Sequence, residues 1–123
     1  MGDDDRQLRP LEFVGSSRKD LIAFPELARQ DVGHALYLAQ FGARAPGTKI
    51  LKGFGGGSVV EIVEDHDGDT YRCVYTVRLD HAVYVLHAFK KKSKQGSKTP
   101  KHDLDVIRSR LHEAEERDRA SVP

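Results

Sequence analysis

Apolar positions along this chain change period several times, and each change marks an element. Leu11-Glu12-Phe13-Val14 suits a short first strand. Ser16-Ser17 then offers an N-cap, and Asp20, three residues after Ser17, completes a capping-box-like start. Leu21, Phe24, Leu27 and Ala28 recur at helical spacing. Pro25 fits a first helical turn and not an interior, so it divides this stretch into two helices. The second is expected from Pro25 to about Phe41, with Val32, Leu36 and Ala39 on its buried side. Gly42 and Pro46-Gly47 end it.

From Thr48 to Ser58 the pattern lapses into a glycine-rich connection. Period-two alternation then predicts three strands: Val59–Asp65, Thr70–Arg78 and Ala82–Lys91. The turn His66-Asp67-Gly68-Asp69 carries an Asp-Gly hairpin signal, and Leu79-Asp80-His81 is equally short, so the three form an antiparallel meander. Ser93 to Lys98 is a polar loop. Thr99 is placed to cap a final helix with Pro100 at its first position. Leu104, Ile107, Leu111 and Ala114 give that helix one apolar stripe. The expected architecture is α+β, with two N-terminal helices packed on a small antiparallel-rich sheet and a C-terminal helix. It forms one domain over residues 1–123, with 1–9 and 118–123 flexible at the ends.

Alternation also sorts the strands into faces. Tyr71, Cys73, Tyr75 and Val77 make the better core face of the middle strand, which sends Arg72 the other way. In the last strand Ala82, Tyr84, Leu86 and Ala88 are uniformly apolar, opposite Val83, Val85, His87, Phe89 and Lys91. With the two helices over Ile62, Tyr75 and Leu86, the opposite face presents Glu61, Arg72, His87 and Lys91 together. A single β-bulge would disturb this grouping.

Composition narrows the function classes. A chain of 123 residues with 38% hydrophobic and 32% charged residues reads as globular, and its longest apolar run is far too short for a membrane span. The acidic start Met1-Gly2-Asp3-Asp4-Asp5 is unlike a signal peptide, and one cysteine, Cys73, allows no intrachain disulfide, so a cytoplasmic protein is expected. The net charge of +1 is unevenly spread. Lys90, Lys91, Lys92, Lys94, Lys98 and Lys101 fall within fourteen residues without an acid, a pattern suited to a polyanion or to a solvated loop. Gly55-Gly56-Gly57 leads into a strand and lacks the Lys-Ser/Thr signature, which excludes a phosphate-binding loop. The single cysteine and scattered histidines show no metal-ligand spacing, so no metal is expected.

Leu51-Lys52-Gly53-Phe54-Gly55, Glu61-Ile62, Asp69-Thr70-Tyr71-Arg72-Cys73-Val74-Tyr75, Tyr84-Val85-Leu86-His87-Ala88-Phe89-Lys90-Lys91-Lys92-Ser93 and Lys98-Thr99-Pro100-Lys101 occur in this order and spacing. The set resembles the phage-derived, HigB-like branch of the RelE toxin superfamily, from Phe13 to the last helix. The resemblance implies a RelE-like fold and a type II toxin-antitoxin toxin. Such a toxin is an endoribonuclease with no metal and no organic cofactor that cuts messenger RNA, free or on the ribosome, and inhibits translation. It also implies a co-produced helix-turn-helix antitoxin. Arg72 matches the family's strand arginine, which supports the scissile phosphate; Lys90 and Lys91 match its basic pair, and Lys52 a basic residue ahead of the long strand. Relatives often carry an arginine where this chain has Val63.

Metal-free cleavage by a 2′-hydroxyl needs a base, an acid and cations around the phosphorane. Arg72 suits the phosphate because its planar donor fork matches two oxygens. Lys91 adds charge. His87 and Glu61 are both candidates for proton transfer. Lys52, Lys90, Lys92, Lys94, Lys98 and Lys101 are the candidate RNA-binding residues. Arg72 could instead only pair with Glu61 on a solvated face. The alternative function is a non-catalytic nucleic-acid-binding protein, or a decayed toxin that only binds its antitoxin. Sequence leaves the oligomeric state open.

Overall fold

A computed structural model of the chain describes residues 8–56, 58–92 and 98–121. Among these, five strands form one sheet: β1 (Leu11–Phe13), β2 (Thr48–Ile50), β3 (Val59–His66), β4 (Asp69–Thr76) and β5 (Val83–Lys92), in the order β1-β5-β4-β3-β2. β1 runs parallel to β5 and every other pair is antiparallel, so the sheet is mixed. Helices α1 (Ser17–Ile22) and α2 (Glu26–Gln40) lie on one face and α3 (Lys101–Ala120) on the other.

The first face is an apolar core. α2 turns its Ala28, Val32, Ala35, Leu36 and Ala39 stripe onto Val60, Ile62, Cys73, Tyr75, Val83 and Val85. Each fully buried aliphatic side chain there contributes about 1.5–3 kcal/mol. Ser17 is drawn into the same interface, its hydroxyl donating to the Val85 carbonyl at 3.0 Å. Ser16 is therefore the residue ahead of α1, and its hydroxyl reaches the Asp20 carboxylate at 2.7 Å. The β3–β4 hairpin closes on Asp67 (φ +50°) and Gly68 (φ +83°), both left-handed as a two-residue turn of the favoured hand requires.

Several expectations are corrected. The Thr48–Ser58 connection contains β2, which pairs with β3 through Lys49↔Glu61. β5 carries a bulge: Val74 pairs with His87, but Tyr75 pairs with Val85, leaving Leu86 as the extra residue. Tyr84 and Leu86 are thereby moved from the α1/α2 face to the α3 face, where they pack with Val59, Val74, Ile107 and Ala114. Thr99 does not cap α3: Pro100 occupies the cap position, without a side-chain cap bond, and the helix starts at Lys101.

The described ends make tertiary hydrogen bonds. The Arg9 guanidinium donates to the carbonyls of Leu79 (2.9 Å) and Ala39 (3.2 Å). Residues 118–120 complete α3, and Asp118 accepts from the backbone N–H of His81 (2.9 Å) and Asp80 (3.0 Å) and from the Tyr84 hydroxyl (3.1 Å). Burial opposes ionisation of Asp118, yet these donors hold its carboxyl below the usual carboxylate value. The Tyr84 hydroxyl, buried and facing that carboxylate, is pushed up to about 12. Among the described residues no helix is long and apolar enough to cross a membrane.

Candidate functional site

The α3 face changes character along its length. Beside Ile107 and Ala114 it is apolar; beneath the start of α3 it carries Glu61 on β3, Arg72 on β4, and His87 and Lys91 on β5. Cross-strand register explains the grouping. Glu61 and His87 both pair with Val74, Arg72 pairs with Phe89, and Lys91 pairs with Thr70, so all share one face.

This cluster is not solvated. Glu61 is 1% exposed, Arg72 2%, Lys91 7% and His87 8%. Arg72 Nη1 donates to Glu61 Oε1 at 3.2 Å and to Thr99 Oγ1 at 3.3 Å, while the Thr99 hydroxyl donates to Glu61 Oε2 at 2.9 Å. His87 Nε2 lies 2.7 Å from Asp103 Oδ1, and its ring stacks on Phe89 with centroids 4.7 Å apart. Lys91 Nζ donates to the Lys98 carbonyl. Burial, and then the Arg72 cation beside it, pull the Lys91 ammonium below the ordinary lysine value, partly offset by Glu61. Arg72 Nε and His87 Nδ1 are buried without hydrogen-bond partners among the described residues.

The ion pair of Arg72 and Glu61 therefore exists, but under a helix and not on a wet surface. Taking two charges out of water costs several kcal/mol per ion, and an apolar pair of equal volume commonly does as well. A buried, incompletely satisfied pair adjoining a histidine is poor engineering for stability and suits a reactive centre.

Two cavities flank the cluster. One, about 460 Å³, is lined by Lys49, Lys52, Glu61, Lys98 and Thr99. The other, about 700 Å³, is lined by Lys90, Lys91, Lys98, Thr99 and Lys101. Thr99 and Lys98 form the partition between them. Of the expected RNA-binding lysines, Lys52 and Lys98 are exposed at these cavities, and Lys101 is exposed but paired with Asp105 at 2.9 Å. Lys90 pairs with Tyr71 in register and so leaves the sheet on the face opposite to Lys91, with Asp69 at 3.4 Å. The adjacent lysines thus leave opposite faces of the sheet, although both line the cavity of about 700 Å³. Lys92 ends β5, but its side chain and the whole of Lys94 lie outside the described residues.

Three residues join the site that sequence reasoning did not place there. Lys49 faces Glu61 across β2 and β3 and was hidden in a segment without strand periodicity. Thr99 resembled a helix cap. Asp103 resembled any first-turn acid. Among the described residues no three His, Cys, Asp or Glu side chains cluster so as to hold a metal ion.

A family model described as phage derived protein Gp49-like (DUF891) matches residues 19–112, about three quarters of the chain. The chain belongs to this family. The matched span runs from α1 into α3, so this Gp49-like chain carries the whole cluster, with Thr99 and Asp103, inside the family region. No curated protein and no solved structure matches it.

Proposed function

We propose that this chain is the toxin of a toxin-antitoxin pair of the RelE/HigB kind, and that it cuts messenger RNA without a metal. The Gp49-like family is associated with toxin-antitoxin-like proteins. The observation that carries the reading is the burial of Glu61, Arg72, His87 and Lys91 side by side on one face of the sheet, between two cavities lined by exposed lysines. Arg72 and Lys91 would neutralise the phosphorane, and low local dielectric makes such charges effective. Glu61 and His87 supply an acceptor and a donor of protons. Lys49, Lys52 and Lys98 would hold flanking phosphates. The substrate is messenger RNA, presented free or by the ribosome in the cytoplasm, and a helix-turn-helix antitoxin restrains the enzyme.

The test is growth after induced expression in bacteria, with messenger RNA 5′ ends mapped. Wild type should arrest growth and create new ends, a neighbouring helix-turn-helix gene should suppress both, and His87→Gln should lose both while accumulating normally. Folded, abundant wild type with neither arrest nor new ends would refute the reading. The alternative, a decayed toxin that binds RNA or an antitoxin without chemistry, draws on one observation: every member of the cluster is already engaged by the start of α3.

A further inference from the structure

The four clustered side chains have a common jailer. Glu61 and Arg72 are bonded to Thr99, His87 to Asp103, and Lys91 to the carbonyl of Lys98. These partners span six residues at the start of α3. Thr99 is the most telling. Its hydroxyl donates to a carboxylate at 2.9 Å and accepts from a guanidinium at 3.3 Å, in the partition between two lysine-lined cavities. A ribose 2′-hydroxyl about to attack its neighbouring phosphate needs the same surroundings: an acceptor for its proton, and a cation beside it.

We propose that Lys98–Asp103 is a built-in occupant of the RNA site, with the Thr99 hydroxyl holding the place of the attacking 2′-hydroxyl, and that RNA binds when this segment lifts. The proposal rests on reading the site as an RNA-cleaving centre and makes Glu61 its general base. With Thr99 displaced, the 2′-hydroxyl gives its proton to Glu61 as the 2′-oxygen–phosphorus bond forms. The phosphorus–5′-oxygen bond breaks, and the 5′-oxygen takes a proton from protonated His87, whose Nε2 has left Asp103. The products are a 2′,3′-cyclic phosphate and a 5′-hydroxyl, and exchange with water returns one proton to His87 and removes one from Glu61.

The hinge is built into α3. From Ile107 onward the helix is fixed by Ile107, Ala114 and the Asp118 bonds, whereas ahead of Leu104, which packs half-buried on the same apolar cluster, residues 98–103 are held by polar contacts that a phosphodiester can replace. The first-turn N–H groups of a helix have no partner within the helix in any case, so lifting this segment costs only the bonds its carbonyls accept, Leu104 N–H to Pro100 first among them.

The experiment measures binding of a short 2′-fluoro oligonucleotide, which lacks the attacking hydroxyl, to wild type, Thr99→Val and Thr99→Ser. Valine keeps the shape and removes both hydrogen bonds, so closure leaves Glu61 Oε2 unpaired. Thr99→Val should bind at least about tenfold more tightly, the worth of one of the two lost hydrogen bonds to charged groups, with Thr99→Ser close to wild type. Equal or weaker binding by Thr99→Val overturns the proposal. Wild type gives a variant-free check by hydrogen exchange. The Leu104 amide, which donates to the Pro100 carbonyl at 3.0 Å, should exchange faster once the oligonucleotide binds, and slower exchange overturns the proposal. Tighter binding by Thr99→Val, with no cleavage of an all-ribose strand by wild type, would keep the lid and remove the nuclease. Cleavage with unchanged Thr99→Val binding would do the reverse, and absence of binding by all three proteins would remove both.

Discussion

The two faces of the central sheet are built on opposite terms. Toward α1 and α2 the strands offer Val60, Ile62, Cys73, Tyr75, Val83 and Val85, with no charge among them. Toward α3 the same strands offer an apolar half, Val59, Val74, Tyr84 and Leu86, and a charged half, Glu61, Arg72, His87 and Lys91. Apolar burial has no substitute partner in water, so the α1/α2 face and the far half of α3 stay closed. Charged contacts do have substitutes, in water, phosphate or ribose. One helix is thus anchored at its end and exchangeable at its start, and stability and reactivity are divided along a single element.

The comparison is sharpest where charge is buried. Arg72→Ala removes the ion-pair partner of Glu61 at 1% exposure and should cost about 3–5 kcal/mol in urea unfolding, so its loss of activity alone would say little about chemistry. Adding Glu61→Leu to Arg72→Met should restore most of that stability while abolishing cleavage. Failure of the apolar pair to recover stability would mean that this half of the face is structural after all. On the other face Leu36→Ala, at 1% exposure, should cost about 2–5 kcal/mol and leave RNA affinity per folded molecule unchanged.

The anchored end of α3 makes a pH prediction. The Asp118 carboxyl has a folded pKa below its unfolded value, so its stabilisation is complete above the unfolded carboxylate pKa and is lost as pH falls through the folded one. Asp118→Asn should be less stable near neutral pH by about 1–3 kcal/mol, the cost of weakening a charge-assisted network. The gap from wild type should narrow as pH drops below about 4. A gap that persists unchanged in acid would show that shape, and not charge, holds this end.

Much of this division was legible in residue order, and the exceptions have physical causes. The α2 stripe and the Asp67-Gly68 turn were readable because each depends on local rules alone. Glu61, Arg72, His87 and Lys91 were placed on one face because the bulge at Leu86 lies before His87, leaving the pairing of Arg72 with Phe89 in simple register. The same bulge moved Tyr84 and Leu86. Both faces of Val83–Leu86 are apolar, so alternation there could not say which side met which helix. β2 was too short, and too close to glycines, to show a period. Thr99 misled because Thr-Pro before a helix is an ordinary cap signal, and only tertiary structure shows its hydroxyl turned to Glu61. Burial of the cluster was equally hidden, since a charge-rich strand face normally implies water.

The smallest effect tests how far the exchangeable half extends. Lys49 is exposed on β2, in register with Glu61, whereas Lys101 is exposed on α3 and paired with Asp105. If RNA lies over the open edge beyond β3, Lys49→Ala should weaken binding a few-fold. It should also reduce the slope of log affinity against log salt by about 0.7, the value for one phosphate contact to a single strand. Stability should move by no more than about 0.5 kcal/mol, because an exposed strand lysine buries little. Lys101→Ala should change the slope less, since its charge is already shared with Asp105. The reverse order, with Lys101 controlling the slope and Lys49 silent, would place the RNA along α3. The exchangeable half would then end at the helix and not continue onto β2.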